Sequence, residues 1–385
     1  MRIRPAGSLV FAFSLLEILV SSAIIMAIAV VLVSMVNQTG SIWEGTTGKI
    51  EQFRDARNAF EAMTARLSQA TLNTYWDYDS PTLPTTYQRR SELRFIAGPA
   101  SDYLGDGQNG PRVSHCVFFH APFGATEDSE GMTGSSTSYR GLDGLLNVWG
   151  YFVELNSDAA FRPAFLNSAS NPLPAHFRFR LMEFRQPTEL LSTYTHTSGF
   201  DPTSNGLAAS ISYHGTEWYK TAANGTTPPY RVVAENIVAL LITPRLSKED
   251  EAALPPALKS TSSDYSPLAP SYAYDSSLTM NPGQPAASAF TNPKSQLPPV
   301  LQVTLVAIDE ASAIRLNLGA DSANLFGLSD KFRDTTRYTT DLVANPAVDS
   351  TSSLENTLVA KKANYRIFTT NVPIRAAKWS RDETN

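Results

Sequence analysis

Across 385 residues the chain has a single cysteine, Cys116, which excludes an intrachain disulfide and leaves stability to the packed core. Cys116 stands beside Val117, Phe118 and Phe119, the setting of a buried thiol. Charge is also scarce, at 17% Asp, Glu, Lys and Arg, well under the roughly 25% usual for soluble domains. Basic excess is missing, since the net charge is −5, and this argues against a nucleic-acid surface. There is no CxxC, HExxH, GxSxG or GxxxxGK[ST] pattern, so the sequence designates no catalytic residue, no metal site and no cofactor. We read the chain as non-enzymatic. Its 42% hydrophobic content still suffices for a real core.

The strongest signal is N-terminal. MRIRPAGSLVFA is followed by FSLLEILVSSAIIMAIAVVLVSMV, in which Ile18 to Val36 runs nineteen residues without a charge. At about 1.5 Å per residue this nearly crosses a hydrocarbon core about 30 Å thick. Arg2 and Arg4 precede it and the next basic residue is Lys49, so the positive-inside rule puts the N-terminus in the cytoplasm and the bulk of the chain outside. An ordinary secretory signal would have a shorter apolar run and a small-x-small cleavage end. A plain signal anchor accounts for length and flanking charge but not for Glu17. An acid at the edge of an apolar helix is costly and calls for a partner. A cut before Phe13 would free an α-amine one helical turn from Glu17, and the amine of a neighbouring subunit could pair with that carboxylate.

Ala12-Phe13-Ser14-Leu15-Leu16-Glu17 resembles the class III signal of type IV pilins and pseudopilins, with Ala12 where that family usually has Gly. Gly7 is an alternative cut, but it would make Ala12, not an acid, the fifth mature residue. The resemblance implies cleavage between Ala12 and Phe13 by a prepilin peptidase, N-methylation of Phe13, and a Glu17–amine salt bridge in assembly.

Beyond the span, Gly40, Gly45 and Gly48 suggest a bend or loose turn, each costing about 1 kcal/mol against Ala in a helix. Phe53, Ala56, Phe60, Met63, Leu67 and Ala70 then recur at helical spacing and form one apolar face. Arg54, Asp55, Arg57, Asn58, Glu61 and Arg66 take the other positions. The expected organisation is a leader over 1–12, a transmembrane helix over 13–36, a stalk helix over 37–80 and a β-rich domain over 81–385. Strand candidates are Glu92–Ala97, Val113–His120, Leu145–Leu155, Leu301–Asp309 and Tyr365–Val372. His176–Phe184 alternates like a half-buried strand, and Ala234–Leu241 within Tyr230–Pro244 reads as helix or strand. Leu246–Pro299 has nine prolines and reads as a loop insertion outside the core. The fold class is α+β, a long N-terminal transmembrane and stalk helix packed on an antiparallel sheet with long loops.

Several patterns invite chemistry. His115, Cys116 and His120 are close, yet on a strand the two histidines face opposite ways. Asp102 with Asp106–Gly110 could be a calcium loop, though it lacks the EF-hand order, and a plain turn is the simpler reading. Asp77, Asp79, Asp309 and Glu310 are acids near element ends. Tyr75, Trp76 and Tyr78 are either a ligand face or a core lid.

RDARNAFEAMTARLSQATLNTYWDYD, YRVVAENIVALLITPR and LPPVLQVTLVAIDEASAIRL resemble the Verru_Chthon cassette protein C family, prepilin-like proteins that occur in sets in Verrucomicrobia and relatives. The order of elements is also distantly similar to J-type minor pseudopilins of type II secretion. These resemblances imply a minor subunit of a type II secretion or type IV pilus-like filament or its tip. The implied partners are the prepilin peptidase and other pilin-like subunits, with a secreted substrate as a further candidate. The implied location is the inner membrane, single-pass, with a periplasmic globular domain. The alternative is an anchored extracytoplasmic binding or adhesion module.

Overall fold

The computed structural model describes residues 15–80, 82–107, 109–126, 144–160, 162–167, 174–191, 218–225, 228–344 and 353–381. The chain divides into two compact units, Met1–Gln52 and Phe53–Asn385. The first holds most of helix α1, which spans Leu15–Leu67. Helical structure continues through Gly40, Gly45 and Gly48, where the glycine spacing suggested a bend. The α1 helix stops at Leu67, not near residue 80, and Tyr75–Tyr78 is the first strand, β1, paired with β2 (Tyr87–Arg90). The aromatic and β-branched run after Asn73 fits a pleated hairpin better than another helical turn.

The second unit is built on two antiparallel sheets. The larger has the order β7 (Tyr230–Glu235), β6 (Phe177–Gln186), β5 (Asn147–Ser157), β4 (Arg112–Ala121), β3 (Ile96–Pro99) and β9 (Tyr274–Asp275). The smaller has the order β11 (Tyr365–Pro373), β10 (Val300–Ile308) and β8 (Ile237–Arg245). The α+β class with antiparallel sheets therefore stands. The stretch that read as helix or strand is two strands belonging to different sheets. Asn236, with φ 59°, turns the chain from β7 into β8, the kind of corner by which one strand changes sheets. Asn and Asp tolerate this left-handed conformation better than other residues with a Cβ.

One core cluster joins a face of the large sheet (Val117, Phe119, Tyr151, Val153, Leu181) to β8 and β10 and to the end of α1. A second covers the opposite face, where Phe118, Phe152, Met182 and Phe184 meet Tyr219 and Ala223 of α3 (Trp218–Ala223) and Ala100 of α2 (Ala100–Tyr103). With both faces covered, β6 is not half-buried: Arg180 on it is 2% exposed and Glu183 fully buried.

Leu246–Pro299 corrects the loop-insertion expectation more strongly. Apart from α4 (Lys248–Ala252), a 3-10 turn (Pro256–Leu258) and β9, it is irregular, yet Leu254, Leu258, Leu268, Tyr272, Tyr274 and Leu297 are buried in the main core. Side chains replace the missing ladder. Asn281 Nδ2 donates to Leu268 O (2.9 Å), Tyr274 OH to Gln296 O (2.8 Å), and Arg94 Nε to Asp275 (2.7 Å). Proline removes the backbone donor but not the capacity to pack, so a proline-rich segment can be core where such bonds satisfy its carbonyls.

Candidate functional site

In the first unit, Ile18–Gly40 is one uncharged, largely apolar helical stretch of 23 residues that lies exposed. At about 1.5 Å per residue it is roughly 34 Å long, enough to cross a membrane. Ser21 and Ser22 do not leave bare hydroxyls on it, since they donate to the carbonyls of Ile18 and Leu19 at 3.0 and 2.9 Å. Ala12 and Phe13 lie outside the described residues, as does the Glu17 side chain; the Glu17 backbone is helical.

In the second unit the residues expected on the stalk face are placed as follows. Ala56, Phe60, Met63, Leu67 and Ala70 are buried, and Phe53 packs half-buried against the same core. The Phe60 ring lies 5.9 Å from that of Phe368 on β11. Arg54, Asp55, Arg57, Asn58 and Glu61 are exposed, with Arg57 bonded to Glu61 at 2.8 Å.

Arg66 departs from that pattern. It reaches to Glu183, a carboxylate with no solvent contact that also accepts from Trp149 Nε1 (2.9 Å), Tyr151 OH (2.8 Å) and Arg231 Nε (2.8 Å). Its guanidinium also lies over the Trp149 ring, 5.1 Å from the centroid. Burial alone would raise the Glu183 pKa, but the bonds from Trp149, Tyr151 and Arg231 and the charge of Arg66 outweigh it and hold the carboxyl below the ordinary glutamate range. Sequence reasoning missed this network. Its one signal was a glutamate at the position that continues the apolar alternation of Phe177, Phe179 and Leu181.

The groups that invited chemistry are structurally engaged. His115 and His120 do lie on opposite faces of β4. The His115 ring accepts from Ile242 N–H at Nδ1 and donates from Nε2 to Phe332 O, both 3.1 Å, and burial lowers its pKa to about 4. His120 Nδ1 sits 3.1 Å from Arg94 O. Cys116 is buried, which pushes its thiol pKa up. Asp102 pairs with Arg333 (2.8 Å), and Gly107 N–H closes a turn on Gly110 O (2.9 Å). Asp77 faces Arg90 at 3.5 Å, and Asp79 accepts the N–H groups of Ser80, Thr85 and Thr86. Asp309 caps α5 (Glu310–Leu316) through Ser312 N–H (2.8 Å), and Glu310 binds Arg178 (2.6 Å). Among the described residues no group of three or more His, Cys, Asp or Glu is placed to hold a metal ion.

Of the aromatic candidates, Tyr75 is half-buried, whereas Trp76 and Tyr78 are about half exposed at 50% and 46%. The register pairs Trp76 with Arg89 and Tyr78 with Tyr87, so these four share one face of the β1–β2 hairpin. The Tyr78 and Tyr87 rings lie 4.7 Å apart.

No family model, no curated protein and no solved structure matches this chain.

Proposed function

We propose that the chain is a prepilin-like minor pseudopilin subunit. It is cut between Ala12 and Phe13 by a prepilin peptidase, methylated at Phe13, and anchored in the inner membrane with its second unit on the far side. It assembles with other pilin-like subunits of a type II secretion or type IV pilus-like filament. The observation that carries this reading is the division of labour along α1. Residues 18–40 are uncharged, largely apolar and unburied, whereas Ala56 to Leu67 supply a face of the second unit's core. Such a helix suits a subunit that associates through its first half and displays a domain on its second. Glu17, third in the helix, is the acid that a neighbour's freed amine would neutralise. The reading assigns no catalytic residue.

Intact mass and N-terminal analysis of the membrane-extracted protein tests processing, with a start at methylated Phe13 expected. Glu17→Ala should still be processed but co-assemble poorly with partner subunits; normal co-assembly would sink the assembly role. A start at Met1 would favour the second reading, a membrane-anchored binding module. The observation behind that alternative is the exposed Trp76, Tyr78 and Tyr87 face. Its test is Trp76→Ala with Tyr78→Ala, because deleting Leu246–Pro299 would remove core residues along with any surface.

A further inference from the structure

Among the described residues the small sheet has one covered edge and one bare edge. On β8, Leu240 N–H donates to Ser114 Oγ and Ile242 N–H to His115 Nδ1, both 3.1 Å, so that edge is closed by a bulge of β4. At the opposite edge β11 pairs with β10 over nine residues without a bulge. Ile374 N–H donates to Pro299 O and Asp309 N–H to Asn364 O, both 3.1 Å. These two bonds fix which residues of β11 turn their backbone polar groups toward β10, namely the even-numbered ones. In an antiparallel ladder the groups alternate, so the N–H and C=O of Tyr365, Ile367, Thr369 and Asn371 face away. They have no backbone partner among the described residues. Thr369 and Asn371 are exposed, and Pro373 closes the strand. A bare edge this long is usually blunted by a bulge, an interior proline or a covering element.

Charge selects the occupant. Lys361 to Arg381 carries six basic residues and no acid in a chain of net charge −5. Of the acids nearby, Glu355 is held by Tyr365 OH (3.0 Å) and Ala344 N–H (2.7 Å), Glu61 by Arg57 (2.8 Å) and Asp250 by Arg381 (3.0 Å). Arg366 lies over the Phe368 ring at 5.7 Å, beside the bare groups. Two copies joined edge to edge would set like charges side by side, which is unfavourable.

We propose that β11 takes up an extended acidic segment of a second polypeptide by strand addition, its backbone pairing with Tyr365, Ile367, Thr369 and Asn371 and its carboxylates meeting the basic flanks. This surface does not depend on processing at Ala12 or on assembly through Glu17.

The test uses the full chain in detergent micelles and a fluorescein-labelled peptide of alternating valine and glutamate, read by anisotropy. The controls are the same peptide N-methylated at alternate residues and an alternating valine–lysine peptide. Both should bind at least about tenfold more weakly. Asn371→Pro removes one outward N–H and leaves the β10 ladder intact, and should weaken the acidic peptide similarly. Arg366→Glu should weaken it and flatten its salt dependence. Hydrogen exchange should slow at the amides of residues 365, 367, 369 and 371 when peptide is bound. Equal binding of the N-methylated peptide to the native chain would overturn strand addition without relying on any variant. Absence of binding up to about 1 mM acidic peptide would overturn the proposal outright. Concentration-dependent protection of those four amides without peptide would replace it with self-pairing.

Discussion

Acid should destabilise this protein well before its carboxylates titrate, and His115 should be the cause. Its ring is fixed as the neutral tautomer by geometry. Nδ1 accepts from Ile242 N–H, so a proton there would set two donors face to face, and Nε2–H is committed to Phe332 O. The ring is 2% exposed and lies 4.7 Å from that of Tyr272. Burial is the largest cause of its lowered pKa, about 4, and Arg333 acts in the same direction; the bond to Phe332 and the charge of Asp102 oppose them. A histidine whose folded pKa lies below the unfolded value of about 6.5 contributes fully above pH 6.5 and loses that contribution as pH falls toward the folded pKa. At 1.36 kcal/mol per unit, the fall from pH 6.5 to 5 costs about 2 kcal/mol. The assay is the denaturant midpoint of the full chain in detergent from pH 7.5 to 5, for the native sequence and His115→Asn. The variant keeps an acceptor for Ile242 but loses the bond to Phe332 and the ring contact, so it should start about 1–2 kcal/mol lower at pH 7.5. It should then change little down to pH 5, so that the two curves converge. Parallel curves would refute the reasoning, because they would mean that His115 binds protons equally in the folded and unfolded states.

Glu183→Gln should cost about 2–3 kcal/mol, below the full cost of breaking a buried pair because Arg66 and Arg231 are partly exposed, while Arg231→Ala should cost under about 1 kcal/mol. Equal thermal shifts for the two would contradict the burial argument. Because the Glu183 pKa is depressed, its contribution is present above the unfolded value of about 4.3 and is lost as pH falls through the folded one, a window separate from that of His115. Met63→Ala should lose about 2–5 kcal/mol by denaturant titration, against under about 0.5 kcal/mol for the exposed Asn58→Ala on the same helix. Gly150→Ala would place a Cβ 2.4 Å from the Phe118 ring, so about 1–3 kcal/mol should be lost, with partial recovery in the double variant carrying Phe118→Leu. A double variant no better than Gly150→Ala alone would show that the clash lies with the backbone of Val117 instead.

The sequence by itself determined what depends on local pattern. A charge-free run sets the length of an apolar helix, and the 3-4 recurrence from Phe53 to Leu67 sets which helical face is buried, because both follow from the geometry of one element. Apolar stretches likewise marked β4, β5, β10 and β11 to within a few residues. Tertiary structure alone decided what depends on partners distant in sequence. Two covered faces put Arg180 and Glu183 inside, where alternation had predicted a half-buried strand. Glu183 is bearable there because Arg66 lies 117 positions away in sequence but adjacent in space. Proline content marked Leu246–Pro299 as irregular, and irregular it is, but whether an irregular segment is surface or core depends on the side-chain bonds that satisfy its backbone. The bare edge of β11 is of the same kind. A strand can be read from its residues, whereas its position at the rim of a sheet is fixed only by which strands do not pair with it.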